Sequence, residues 1–187
     1  MRIVSGSLGG RRLRTPKGSA VRPTADKVRQ ALFNILGDLE GLSVLDLFAG
    51  SGAISFEALS RGAQHATLVE RGRPSLEAIE DNAATLRIPA TAIEILRMPV
   101  ERALELLARS GRRFDRIFAD PPYTDAPALH PEVLRQAPAL LEAGGLIVLE
   151  HARRDTPPIA PPGLRMTQSR GYGETALSFY AREGEQE

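Results

Sequence analysis

The 187-residue chain contains no cysteine, which excludes disulfides, thiolate nucleophiles and any cysteine-ligated zinc or iron–sulfur centre. Its histidines, His65, His130 and His151, show no metal-ligand spacing, so they read as structural and no metal is expected. No apolar run approaches the ~18 residues of a membrane span. Met1-Arg2-Ile3 leads into alternating polar residues rather than the apolar core of a signal peptide. The expectation is a cytoplasmic monomer with no membrane partner. Internal repeats are also missing. With 42% hydrophobic and 25% charged residues, the composition is that of one globular domain able to bury a single core.

Net charge is only +1, but it is unevenly placed. Residues 1–43 hold eight basic side chains against three acidic ones, while the remainder is net acidic. A basic segment beside an acidic body predicts a polyanionic partner reached through that segment. Residues 1–43 are therefore expected as a basic hairpin and helix within the same globule, 44–182 as the main domain, and 183–187 as a frayed tail.

Arg2 to Ser5, the glycine-rich Gly6 to Gly10, and Arg11 to Arg14 predict a small hairpin with arginines on one face. Val28, Leu32, Ile35 and Leu36 fall at helical spacing, with Thr24 as a cap and Gly37 as a stop. From Ser43 onward, short apolar runs alternate with longer helical segments. Strands are expected at 44–48, 66–70, 92–96, 115–120 and 146–150, and helices near 53–61, 73–87, 99–110 and 129–142. That alternation predicts a Rossmann-like α/β fold, a mostly parallel sheet covered on both faces. Leu164–Arg170 and Thr175–Ala181, around a Gly171-Tyr172-Gly173 turn, predict a closing antiparallel hairpin and a seven-stranded sheet.

The first of these strands runs into Ala49-Gly50-Ser51-Gly52. Glycines in a strand-to-helix turn let backbone approach a nucleotide-like ligand. The turn is not a P-loop, since no Gly-Lys-Ser/Thr follows. Nor is it the full dinucleotide fingerprint, because Phe56 and Glu57 stand where later glycines would fall. Glu70 lies 18 residues after Gly52, close to the ~20-residue offset at which an acid receives ribose hydroxyls. Asp46 is a buried acid in need of a cationic or hydrogen-bonding partner.

Asp120-Pro121-Pro122-Tyr123 ends the fourth expected strand. Two prolines stop the strand and remove two N–H donors, so carbonyls and the Asp120 carboxylate form a rigid acceptor cluster beside an aromatic ring. Such a cluster suits a flat ligand with an exocyclic amine, although a plain turn capped by aspartate has the same sequence. In a 3-2-1-4 strand order this turn and Gly50 would share one carboxyl edge.

Together, Arg22-Pro23-Thr24, Arg29-Gln-Ala-Leu-Phe-Asn34, Asp46-Leu-Phe-Ala-Gly-Ser-Gly52, Glu57-Ala-Leu-Ser-Arg-Gly-Ala63 and Asp120-Pro-Pro-Tyr123 resemble the RsmD family over nearly the whole chain. These are S-adenosylmethionine-dependent class I methyltransferases that modify the N2 amine of a guanine in bacterial 16S rRNA. The resemblance implies S-adenosyl-L-methionine as cofactor and 16S rRNA, in a small ribosomal subunit or assembly intermediate, as partner. It implies that Asp120, Pro121, Pro122 and Tyr123 receive the base. The cofactor set is then Asp46, Phe48, Ala49, Gly50, Ser51, Gly52, Glu70, Arg71, Met98 and Thr24. Arg2, Arg11, Arg12, Arg14, Lys17, Arg22 and Arg29 form the RNA-binding set. Gln30, Ala31 and Met98 depart from the family's usual residues, and Met98 stands where a polar partner for adenine is common. Two alternatives stay open: a DNA adenine-N6 or cytosine-N4 methyltransferase, and a non-catalytic RNA-binding assembly factor.

Overall fold

The computed structural model describes residues 1–16, 23–122 and 124–184, so Lys17, Arg22, Tyr123, the side chain of Thr24 and the end of the expected tail lie outside the described residues. Helix α1 (Pro23–Leu36) precedes β1 (Ser43–Asp46), α2 (Ala53–Ser60), β2 (His65–Glu70), α3 (Arg73–Leu86) and β3 (Ile93–Arg97). Then come α4 (Val100–Arg109), β4 (Phe114–Ala119), α5 (Ala126–Gln136), β5 (Leu141–Ala152), β6 (Leu164–Tyr172) and β7 (Thr175–Arg182). The strands form a seven-stranded sheet in the order β3-β2-β1-β4-β5-β7-β6. Pairs β1/β2, β2/β3 and β4/β5 are parallel, whereas β7 runs antiparallel to both β5 and β6. The expected mostly parallel Rossmann-like sheet with a closing hairpin is thus the fold that forms. By contact the chain divides into two compact units, Met1–Val100 and Glu101–Glu187. That division falls inside the expected 44–182 domain, and the basic N-terminal segment belongs to the first unit.

In the first unit, β1 and β2 read as continuous apolar runs because both of their faces are covered. Val44, Leu45, Ala66 and Leu68 are fully buried. Helix α1 buries Val28, Leu32, Phe33 and Leu36, and ends at Gly37, whose φ of 71° is the left-handed geometry that glycine adopts without steric cost. Helix α2 is enclosed on most sides, so Ser55, Glu57 and Ser60 lie in the interior with Phe56 and Ala58. Those polar groups each need a partner. The N-terminal hairpin supplies several of them.

That hairpin closes with Ile3 N–H to Arg11 O at 2.9 Å and Leu13 N–H to Met1 O at 3.0 Å, around an antiparallel bridge of Arg2 with Arg12. Ile3 and Leu13 are buried, while Arg2, Arg11, Arg12 and Arg14 are exposed; with Arg11 and Arg12 adjacent in the strand, the arginines do not all share one face. The Glu57 carboxylate, 0% exposed, accepts Val4 N–H at 2.7 Å, Ser5 N–H at 3.0 Å and Arg61 Nε–H at 2.9 Å. Breaking one side of such a buried charge network costs about 3–5 kcal/mol. At the hairpin tip, Ser7 N–H donates to Ser60 O at 2.7 Å and Leu8 N–H to Ser60 Oγ at 2.9 Å. The approach is so close that a Cβ on Gly6 would stand 1.8 Å from Ser60 O.

The second unit departs from expectation in its details. The helix expected near 129–142 starts at Ala126 and stops at Gln136, and Ala137–Leu140 form a 3-10 turn. Pro138 stands in the first turn of that 3-10 segment, whereas α5 continues through Pro131. Strand β5 then starts five residues before the expected 146. Its partner register jumps from Phe114↔Leu141 to Arg116↔Leu146, so Glu142 to Gly145 bulge out. The closing turn falls at Gly173-Glu174 rather than Gly171-Tyr172-Gly173, with Tyr172 paired to Thr175 and Gly173 at φ 62°. A two-residue loop with a positive φ matches the twist of the flanking strands.

Candidate active site

Two turns hold most of the candidate site residues, each following the carboxyl end of a strand. After β1 the chain enters Leu47–Gly52, tied to β2 by Ala49 N–H to Val69 O at 3.1 Å and closed on itself by Gly52 N–H to Ala49 O at 2.7 Å. Gly50 and Gly52 have φ of 56° and 78°. At Gly52 a Cβ would lie 2.5 Å from the Phe56 ring, so the packing of α2 against the turn demands glycine. At Gly50 a Cβ would meet nothing within 4 Å among the described residues, so none of them blocks a ligand from approaching the backbone there.

Glu70, at the end of β2, braces this turn. Its Oε2 accepts Gly50 N–H at 2.9 Å, while Oε1 accepts Arg71 N–H at 2.8 Å and Gly72 N–H at 2.7 Å. A carboxylate offers about four acceptor positions, so Oε2 keeps capacity for a ligand hydroxyl. The expected role of Arg71 is narrowed: its amide joins this network, and its side chain is exposed. Asp46 is buried, and Ser55 Oγ–H donates to its Oδ2 at 2.9 Å. Burial pushes its carboxyl up to about 6, against lowering by the Ser55 hydroxyl and the Phe48 backbone. Ser55, which the sequence reading passed over, is thus the hydrogen-bonding partner anticipated for Asp46. Phe48 and Met98 are half-buried and Ala49 and Ser51 buried. The Ser51 carbonyl accepts Asn82 Nδ2–H at 3.0 Å. Asn82 was also passed over. Its signal was present as a polar residue on the buried stripe of Ala78, Ile79 and Leu86 in α3.

The second turn leaves β4 at Ala119. Asp120 is exposed and Pro121 buried. The Pro122 carbonyl accepts Asp125 N–H at 2.8 Å and Ala126 N–H at 3.0 Å, which starts α5. Pro122 is thereby committed to the helix start, and the Asp120 carboxylate with the Pro121 carbonyl are the acceptor candidates. Tyr123, expected as the stacking ring, lies outside the described residues.

Among the arginines expected to meet RNA, the surface set divides. Arg2 and Arg12 are exposed. Arg11 is exposed too, with Nη2 donating to Thr85 O at 2.6 Å, and Arg14 forms an ion pair with Asp81. Arg29 is a correction. Its side chain is only 4% exposed, and its guanidinium is spent on the Arg2 carbonyl, on Asp26 at 3.0 Å and on Glu57 at 3.5 Å. It packs the hairpin onto the body and presents no charge to solvent.

The sheet order, the glycine turn after β1 and the acid ending β2 define a class I methyltransferase fold. The solved structure of yhhF from Escherichia coli shares it, at TM-score 0.81 and 33% identity over 98% of both chains. The model of the family described as Conserved hypothetical protein 95 matches residues 1–181. YlbH of Bacillus subtilis is 38% identical over 98% of this chain and 100% of its own length. Ribosomal RNA small subunit methyltransferase D of Escherichia coli is 34% identical over 100% of this chain and 92% of its own. The chain belongs to this family, the RsmD methyltransferases.

Proposed function

We propose that the chain transfers a methyl group from S-adenosylmethionine to the exocyclic N2 amine of a guanine in 16S rRNA of the small ribosomal subunit. The observation that carries this reading is the whole-length likeness to Ribosomal RNA small subunit methyltransferase D in a chain that keeps Asp120-Pro121-Pro122. The first turn fits the cofactor: a Gly50 backbone that no described residue blocks, remaining acceptor capacity on Glu70, and a buried acid at Asp46. Glu70 would receive the ribose hydroxyls, and the Gly50–Gly52 backbone the amino-acid part. When bound, S-adenosylmethionine supplies a methyl on a sulfonium centre, which departs as a neutral thioether once nitrogen takes the carbon.

An aromatic exocyclic amine is a weak nucleophile because its lone pair is delocalised into the ring. The Asp120 carboxylate and the Pro121 carbonyl would accept its two N–H bonds, localising that lone pair and fixing the nitrogen for in-line attack. As the N–C bond forms, positive charge develops on nitrogen. Asp120 stabilises it, and a proton is then lost to water. Tyr123 would stack on the base, which must be unpaired or flipped out.

Methyl transfer from radiolabelled S-adenosylmethionine, assayed on small ribosomal subunits, naked 16S rRNA and duplex DNA, tests the reading. Label in rRNA that maps by mass spectrometry to N2-methylguanine is the expected result. Label confined to DNA, or to another base, overturns it.

A further inference from the structure

Asn82 is 2% exposed, in the middle of α3, and its side chain joins two regions that the sequence keeps far apart. Oδ1 accepts Arg14 N–H at 2.7 Å, and Nδ2 donates to Arg14 O at 2.9 Å and to Ser51 O at 3.0 Å. Both amide hydrogens and one acceptor lone pair are used, so a flipped amide would set its oxygen against two carbonyls. One partner is the closing strand of the basic hairpin; the other is the carbonyl at the centre of the cofactor turn. Two neighbouring contacts reinforce the link: Arg14 pairs with Asp81, and Ser51 Oγ lies 3.8 Å from Met1 Sδ. The turn is thereby clamped from both sides, its Gly50 amide by Glu70 and its Ser51 carbonyl by Asn82. A buried amide costs stability unless satisfied, and a leucine would fill this interior position without that cost. The amide makes a directional link that packing alone cannot make.

We propose that Asn82 is a positioning residue that couples the RNA-facing hairpin to the cofactor turn, so that RNA and S-adenosylmethionine each alter the other's affinity through it. The inference rests on the function proposed above. Coupling of this kind is reciprocal: the factor by which RNA changes cofactor affinity equals the factor by which cofactor changes RNA affinity.

The test measures S-adenosylhomocysteine binding by calorimetry with and without a 16S rRNA transcript, and the thermal midpoint of each variant. Asn82→Asp keeps an acceptor for Arg14 N–H but loses both donors and sets an oxygen against each carbonyl. It should weaken S-adenosylhomocysteine binding about tenfold and bring the RNA-dependent factor to one. Should Asn82→Asp fail to fold, Asn82→Ala removes the link without adding a charge, and the same outcomes are read from it. Ser60→Ala is the control, since it loosens the hairpin tip from α2 at a distance from Ser51. It should weaken RNA binding and leave S-adenosylhomocysteine affinity unchanged. If both variants lose cofactor affinity in proportion to their thermal midpoints, Asn82 is merely structural and the proposal falls. It also falls if the factor is one in the unaltered chain or is unchanged in the Asn82 variant. An unaltered chain that binds no S-adenosylhomocysteine would instead sink the proposed function.

Discussion

The turns after β1 and β4 are both rigid, but they are made rigid by different means. The first is held by side chains gripping backbone: Glu70 on the Gly50 amide, Asn82 on the Ser51 carbonyl, Ser55 on the acid that precedes them. The second is held covalently, by two proline rings that fix φ and by a carbonyl committed to the start of α5. A hydrogen-bonded turn can be loosened by many single substitutions at a distance from the ligand. A proline turn tolerates change around it, and the chemistry proposed for it rests on the one acidic side chain at its head.

The largest expected effect lies in the proline turn. Asp120→Ala should cut turnover at least about a hundredfold while S-adenosylhomocysteine affinity, by calorimetry, stays within twofold. Parallel loss of both would move Asp120 to the cofactor side of the comparison. In the hydrogen-bonded turn, Glu70→Gln keeps one accepting oxygen and turns an NH2 group against the remaining N–H donors of the three. It should weaken S-adenosylhomocysteine about tenfold to a hundredfold, with less change in turnover at saturating cofactor. An unchanged affinity would remove Glu70 from the cofactor site.

Acid titration sharpens the contrast, because each unit buries a group whose titration is shifted within the acid range, and their signs are opposite. Asp46, with its carboxyl raised from 3.8 to about 6, takes up a proton in the folded state first. It therefore adds stability as pH falls from 6 toward 4. His130, buried in α5 edge-on to His151, has its imidazole pushed down from 6.5 to about 4, chiefly by burial. There the unfolded chain takes the proton first, so stability is lost as pH falls from 6.5 toward 4. Urea unfolding between pH 7 and 4 should show Asp46→Asn steepening the acid loss and His130→Leu flattening it. Equal slopes in both variants would contradict these assignments. The smallest effect is at the surface: Arg12→Gln should lower the salt slope of RNA binding by roughly 0.7 to 0.9 and leave cofactor affinity unchanged. An unaltered slope would take Arg12 out of the RNA contact.

Much of the fold was legible because the parallel strands and their helices differ in period and because glycine and proline mark the turns. Gly37 stops α1 where expected, and Gly50, Gly52 and Glu70 come together as their spacing predicted. What could not be read was the polar interior. Glu57, Asn82 and Ser55 look like surface residues in a linear sequence, and only α2 being enclosed and α3 facing the hairpin make them interior partners. Arg29 failed for the same reason: a cation beside other cations reads as surface until Glu57 is seen beneath it. The bulge at Glu142 to Gly145 was hidden because its exposed residues match a helix end as well as a displaced strand.

The absence of a side chain at Gly6 gives the hairpin a weak point of unusual kind. One added methyl, in Gly6→Ala, would act as a wedge against the end of α2 and prise the arm away without altering a single charge. Spatial docking could then be tested apart from electrostatic attraction by an edit of one methyl group.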